Sequence, residues 1–255
     1  MRNYRSRHRE GLIAATVRVV TRTANGVQHR SGTGFFVAPG QVVTCAHVVP
    51  QVPGGSYAVA YDGTEHPAEV HVREPANAEE KVYSYPDVAL LAVPVADHPS
   101  VPLGGEALPE NGRELFAYGC PLLADGPFWD HMTMTSEGER AGSPDPAHRF
   151  VKTSRGQVRG GASGAGVIDV SAGPLVGMLK ASRDPRQDLG AVLVPTATIV
   201  ATLARQGYDV ATANAAATRA ADTVTAARRR LGRLLDAVAA ELEPVAERVV
   251  RTTWP

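Results

Sequence analysis

From residue 12 to about residue 200 the chain is a succession of short apolar runs divided by turn signals, and this pattern limits it to a mainly β fold. IAATVRVV (13–20), GTGFFVA (32–38), QVVTCAHVV (41–49), YAVAY (57–61), AEVHV (68–72) and VALLAV (88–93) mark strands in the first half. RELFAYG (113–119), HRFVKTS (148–154), GAGVIDV (164–170), PLVGMLKA (174–181) and GAVLVPT (190–196) continue the series. Many short strands at regular spacing fit a barrel or a sandwich. The Gly/Pro/Glu-rich stretch PLGGEALPENGR (102–113) reads as a linker between two halves of similar size.

Composition changes after residue 196. Segment 196–206 reads as a short helix stopped by Gly207. Residues 211–243 are rich in Ala, Arg, Leu and Glu, all strong helix formers. Leu231, Leu234, Leu235, Val238, Leu242, Val245 and Val249 make one apolar stripe, expected to pack on the barrel or on another helix. Pro244 is expected to kink or end that helix. The basic run Arg228, Arg229, Arg230 reads as a solvated face.

Charge and cysteine content narrow the function classes. Lys plus Arg and Asp plus Glu both number 26, so no net charge draws the chain to nucleic acid or to an anionic membrane. No window approaches the apolar length of a membrane span. The N-terminal segment is basic and lacks a secretory apolar core. The only cysteines, Cys45 and Cys120, sit in apolar surroundings and read as buried free thiols. A cytoplasmic location is therefore expected. The scattered histidines, His66 and His71 included, make no recognisable zinc spacing with either cysteine, so no metal and no other cofactor is expected.

Three segments carry chemistry. The first runs from Gly32 through a turn at Pro39-Gly40 to Thr44-Cys-Ala-His47-Val-Val. The second, Tyr85-Pro-Asp87-Val-Ala-Leu-Leu, puts an acid at the mouth of a buried strand. The third, Gly156-Gln-Val-Arg-Gly-Gly-Ala-Ser163-Gly-Ala-Gly, holds a serine in a glycine-rich loop. A serine hydroxyl becomes a useful nucleophile when a base takes its proton. Histidine titrates near neutral pH and can both take and return that proton. A buried carboxylate fixes the imidazole tautomer, and glycines let backbone N–H groups converge into an oxyanion hole.

In order and wording these phrases resemble the trypsin-like serine peptidases, most closely the HtrA/Deg-like bacterial branch. Thr-x-Ala-His-Val-Val, Asp-[aliphatic]-Ala-[aliphatic] and Gly-x-Ser-Gly are all present, in the order His, Asp, Ser. The resemblance covers residues 12–205 and implies two six-stranded antiparallel β-barrels of the chymotrypsin type with a C-terminal α-helical extension. It places the protease domain at 10–205, with barrels at about 10–103 and 112–205, and the extension at 211–255. It implies a serine endopeptidase with His47, Asp87 and Ser163 as triad and the Gly161 and Ser163 N–H groups as oxyanion hole. Leu179, Lys180 and Ala181 would pair with an extended polypeptide substrate, and Gln157 would lie near the base of the S1 pocket. The implied partners are a polypeptide substrate and, through the C-terminal helix, a partner protein or a second copy; neither nucleic acid nor membrane is expected.

Three features depart from the family pattern. Ala162 stands where trypsin-type enzymes have an aspartate, which removes activation by an N-terminal amine pairing with that acid. Gly164-Ala165 replaces two glycines, and the segment after residue 205 is too short for a PDZ-like domain. The alanines motivate the competing reading, a catalytically inactive protease-like binding or regulatory module.

Overall fold

Two closed antiparallel barrels of six strands each form the body of the chain. The computed structural model describes residues 2–76, 85–105, 107–123, 126–141, 148–182, 187 and 189–253, without the side chains of residues 2–5, 123, 228–229 and 236–253. The first barrel uses β1 (Thr16–Arg22), β2 (Gln28–Ala38), β3 (Gln41–Thr44), β4 (Ser56–Tyr61), β5 (Thr64–Glu74) and β6 (Val88–Ala92), in the order β1-β2-β3-β6-β5-β4. The second barrel opens with β7 (Glu114–Gly119). A two-stranded ribbon follows, β8 (Leu122–Leu123) with β9 (Gly126–Pro127). The barrel then continues with β10 (Asp130–Ala141), β11 (Arg149–Ser154), β12 (Gly166–Asp169), β13 (Leu175–Ser182) and β14 (Ala191–Pro195), in the order β10-β11-β14-β13-β12-β7. Closure leaves neither sheet with a free long edge.

The strands follow from their side chains. Val17, Val19, Phe35, Phe36, Val42, Val43, Leu90 and Leu91 fill the first core, and Leu115, Ala117, Met132, Met134, Val151 and Leu193 fill the second. β10 was not marked by an apolar run, because its sequence DHMTMTSEGERA is mostly polar. Met132 and Met134 alternate with exposed neighbours and bury one face only.

The N-terminal segment differs from the sequence reading. Residues 13–15 end a helix, α1 (Arg2–Ala15), and the first strand starts at Thr16. Leu12 and Ala15, three residues apart on one helical face, are both buried, and Thr16 Oγ1 donates to the Leu12 carbonyl at 2.7 Å.

The helix α2 (Thr196–Arg205) buries Ile199 and Leu203 one turn apart and stops before Gly207, as the sequence predicts. The final helix, α3 (Val210–Thr253), continues through Pro244 without ending there. The Asp209 carboxylate caps it by accepting from the Thr212 amide at 3.0 Å. Asn214, one turn in, is buried: its Nδ2 donates to the Val37 and Val101 carbonyls and its Oδ1 accepts from the Leu103 amide.

The chain divides into two compact units, Met1–Ala215 and Ala216–Pro255. Unit two is helical, and its Leu231, Leu234 and Leu235 are exposed. The other stripe residues, Val238, Leu242, Val245 and Val249, and also Arg228 and Arg229, have side chains outside the described residues. No helix among the described residues is long and apolar enough to cross a membrane.

Candidate active site

His47 sits in the 3₁₀ turn Ala46–Val48 that follows β3. Ala46 and Val48 are buried on either side of it, which leaves the imidazole at the surface of the core, its side chain 21% exposed. Asp87 lies one residue before β6 and is fully buried, with its backbone in the left-handed region at φ 60°. A non-glycine residue holds that conformation only where its surroundings fix it.

The fixing contacts are visible. Asp87 Oδ1 accepts from the His47 backbone amide at 3.0 Å, and Oδ2 lies 2.8 Å from His47 Nδ1. An ionised carboxylate only accepts, so this contact puts a proton on Nδ1, and in the neutral ring Nε2 keeps its lone pair. Burial alone would raise the carboxyl's proton affinity. The His47 hydrogen bond and charge, with the Lys180 ammonium, more than reverse that and hold Asp87 down at about 2.

Ser163 lies in the loop between β11 and β12. Ala162 and Ala165, which flank it, are both fully buried in the second core. A carboxylate at position 162 would face apolar side chains, so alanine suits this packing. Gly161 and Gly164 have φ of +92° and +91°. At Gly164 a Cβ would come within 1.9 Å of the Thr33 carbonyl oxygen, so only glycine fits there.

The Ser163 hydroxyl donates to the Lys180 carbonyl at 3.1 Å. Among the described residues no hydrogen bond joins it to the His47 ring. The structure therefore brings Asp87 and His47 together and leaves the serine hydroxyl turned onto β13. Rotation about one side-chain bond is what re-aims a serine hydroxyl.

The backbone before Ser163 is pinned in a definite sense. The Gly160 carbonyl accepts from the Leu122 amide at 2.9 Å, and the Ala162 amide donates to the Arg159 carbonyl at 3.2 Å. A trans peptide points its N–H opposite to its C=O, so the Gly161 N–H faces away from Leu122. Among the described residues, neither the Gly161 nor the Ser163 N–H has a partner.

Sequence reasoning missed Thr33, which ties the loop to the first barrel. Its amide donates to the Ser163 carbonyl at 2.9 Å, and its Oγ1 donates to the Gly161 carbonyl at 2.9 Å and accepts from the Cys120 amide at 2.9 Å. Its own carbonyl accepts from Thr44 Oγ1 at 2.7 Å. The only signal was the glycine on each side of Thr33, which lets other backbone come close.

The remaining predicted residues are placed less uniformly. The Leu179 carbonyl accepts from the Gly164 amide at 2.8 Å, and its amide donates to the Ala165 carbonyl at 2.8 Å. Both its backbone groups are thus spent inside the protein. Among the described residues, pairing of β13 with β12 reaches Met178, and the Lys180 carbonyl beyond it accepts from Ser163 Oγ. Gln157 is exposed, and its Oε1 accepts from Arg159 at 2.9 Å.

Cys45 Sγ, a His47 nitrogen and an Asp87 oxygen lie within 4.8 Å of one another. The set does not suit a divalent ion. Burial, then the Asp87 charge, keeps the Cys45 thiol protonated by raising it well above its ordinary value. Nδ1 of His47 and Oδ2 of Asp87 already bond to each other. Cys45 and Cys120 are both buried and unpaired.

Two six-stranded barrels carrying an acid-oriented imidazole, with a serine in a glycine loop nearby, define the chymotrypsin-like fold class. Comparison with known proteins agrees. The chain belongs to the trypsin-like peptidase family: the model of the trypsin-like peptidase domain matches residues 32–178. It is 30% identical over 171 residues to serine protease Rv3671c and equally to serine protease MT3772, both of Mycobacterium tuberculosis, an alignment covering 64% of this chain. That alignment spans 38% of the length of those relatives. Among solved structures, the active form of the M. tuberculosis Rv3671c protease superposes with a TM-score of 0.62 at 20% identity, over 80% of this chain and 86% of that one. A serine endoprotease from Yersinia pestis gives 0.60 at 18% identity, over 78% and 66%. At these identities the superpositions speak for the fold.

Proposed function

We propose that the chain is a serine endopeptidase in which Ser163 is the nucleophile, His47 the general base and Asp87 the orienting carboxylate. The observation that carries this reading is the buried Asp87 carboxylate bonded to both the amide and the ring of His47. His47 Nε2 takes the proton of Ser163 Oγ as the hydroxyl attacks the scissile carbonyl carbon. The carbonyl oxygen becomes an oxyanion and takes hydrogen bonds from the Gly161 and Ser163 amides, which have no partner among the described residues. The imidazolium, held by Asp87, then gives its proton to the departing amine. Water repeats the sequence on the acyl-enzyme, with His47 again as base.

The substrate is an extended polypeptide that adds a strand at Lys180 and Ala181. Leu179 contributes by fixing the edge, and Gln157 is assigned to the S1 pocket, near its base. Ala162 is buried in apolar packing, so the nucleophile loop is built without a buried carboxylate and needs no N-terminal amine to complete it. Residues 10–205 are the protease domain and 211–255 the extension. The exposed Leu231, Leu234 and Leu235 are the surface of that extension offered to a partner or a second copy. Two buried unpaired thiols fit a cytoplasmic protein.

The test is cleavage of a proteome-derived peptide library, with new termini read by mass spectrometry. The wild-type chain should generate them and His47→Ala should fall by about 10³-fold or more. Equal cleavage by both chains would remove His47 from the mechanism.

A further inference from the structure

The second side chain on Asp87 is a lysine. Lys180 Nζ lies 2.6 Å from Asp87 Oδ2, the same oxygen that accepts from His47 Nδ1 at 2.8 Å. Both ends of this contact are out of solvent, the lysine side chain at 2% exposure and the aspartate at 0%. A lysine on a strand near a surface cleft ordinarily sends its ammonium to water. Here the backbone directs it inward: Leu179 pairs with Leu193 and Ala181 with Val192, so Lys180 is the extra residue of a β-bulge. A bulge turns one side chain out of the regular alternation.

Lys180 therefore touches the acid and the nucleophile at once. Its ammonium binds Asp87, and its carbonyl receives the Ser163 hydroxyl. We propose that Lys180 is a positioning residue of the candidate site, its ammonium clamping Asp87 and offsetting part of the negative charge that Asp87 presents to the His47 ring. The proposal rests on the reading of His47 as general base.

A carboxylate alone beside an imidazole favours the imidazolium. A cation on the same carboxylate oxygen opposes this, because it repels the proton that would arrive on the ring. The titratable groups facing Asp87 among the described residues are His47 from the turn after β3, Lys180 from β13 and Cys45 from the end of β3. The Cys45 thiol, its Sγ donating to the Leu179 carbonyl at 3.3 Å, is kept neutral by its burial and adds no charge. Lys180 is thus the cation of this group, and removing it should let the ring take up a proton at higher pH.

The geometry adds a second consequence. Two donors on Oδ2 and one on Oδ1 fix the carboxylate in one plane, and with it the direction of the imidazole. Arginine keeps the charge and changes the shape; glutamine keeps a donor and removes the charge. The two substitutions therefore separate charge from packing.

The experiment is an NMR titration of the His47 ring, assigned by difference from His47→Gln, in the full chain carrying Ser163→Ala so that no self-cleavage intervenes. Adding Lys180→Gln should raise the midpoint by about one pH unit, a tenfold change in proton affinity. Lys180→Arg should return it to within a few tenths of the parent. An unchanged midpoint in a folded Lys180→Gln chain overturns the proposal. A measurement on the unsubstituted lysine stands independently of whether the variants fold: the Lys180 Nζ ¹⁵N resonance should shift with the His47 midpoint. A Lys180 resonance indifferent to His47 protonation overturns it equally. Neither readout requires turnover, so a chain that shows the coupling but cleaves no peptide would refute the endopeptidase reading and leave the clamp standing.

Discussion

Thr33 reaches across from β2 and donates its amide to the carbonyl of Ser163 at 2.9 Å. The same residue's hydroxyl bridges the Gly161 carbonyl and the Cys120 amide. One residue of the first barrel thus holds the loop that carries Ser163 and the Gly161 and Ser163 amides proposed as oxyanion donors. Thr33→Val keeps the shape and removes the hydroxyl, leaving the part-buried Gly161 carbonyl and the buried Cys120 amide without it. Loss of about 2–3 kcal/mol of stability is expected. A loss of about 10-fold or more is also expected in the rate of labelling by a fluorophosphonate, because the proposed oxyanion donors lose their alignment. Thermal unfolding and labelling kinetics on the same preparation check this; a stability loss with an unchanged labelling rate would make Thr33 a packing residue only.

Gly164 permits the close approach that Thr33 makes. With φ at +91° and only 1.9 Å from a would-be Cβ to the Thr33 oxygen, Gly164→Ala must move one backbone segment off the other. The expected result is destabilisation of about 3 kcal/mol or more, with labelling lost even where the chain stays folded. Gly160→Ala, at a position where a Cβ would meet nothing within 4 Å, is the matched control and should stay within about 1 kcal/mol of wild type.

Acid should act through Asp87. Its carboxyl is held at about 2 in the folded chain against an ordinary 3.8, so the folded state binds its proton less readily than the unfolded one. The resulting stabilisation, about 2 kcal/mol, is fully present above the ordinary value and is lost as pH falls from about 4 toward 2. Asp87→Asn should abolish this contribution to the pH dependence while leaving that of other carboxylates. Urea midpoints for both chains between pH 2 and 5 would show two curves converging at the acid end. Parallel curves would mean that Asp87 is not held ionised by its neighbours.

These relationships divide into those the sequence displays and those it hides. The Thr-Cys-Ala-His47, Asp87-Val-Ala-Leu and Gly-Ala-Ser163-Gly phrases each join side-chain chemistry to a strand edge, and short-range pattern is enough to read them. The apolar runs placed most of the barrel strands for the same reason. The sequence shows Lys180 only as backbone for a substrate strand, because a bulge, not a local preference, turns its side chain inward. Thr33 is hidden because its partners on the second barrel, Ser163, Gly161 and Cys120, lie 87 or more residues away. The start of β1 was misplaced because Ile13, Ala14 and Ala15 suit a helix as well as a strand, and burial of Leu12 and Ala15 decides between them. Exposure of Leu231, Leu234 and Leu235 had no signature either, since an apolar stripe looks the same whether covered or bare.

The account stands or falls on Ser163 becoming an activated nucleophile beside an acid-oriented His47. Intact-mass and peptide-mapping analysis after treatment with a fluorophosphonate at neutral pH tests this directly. One adduct on Ser163 in the wild-type chain, none in Ser163→Ala and at least a 10³-fold slower adduct in His47→Ala is the expected result. An unlabelled wild-type chain, or an adduct formed equally fast without His47, would contradict it.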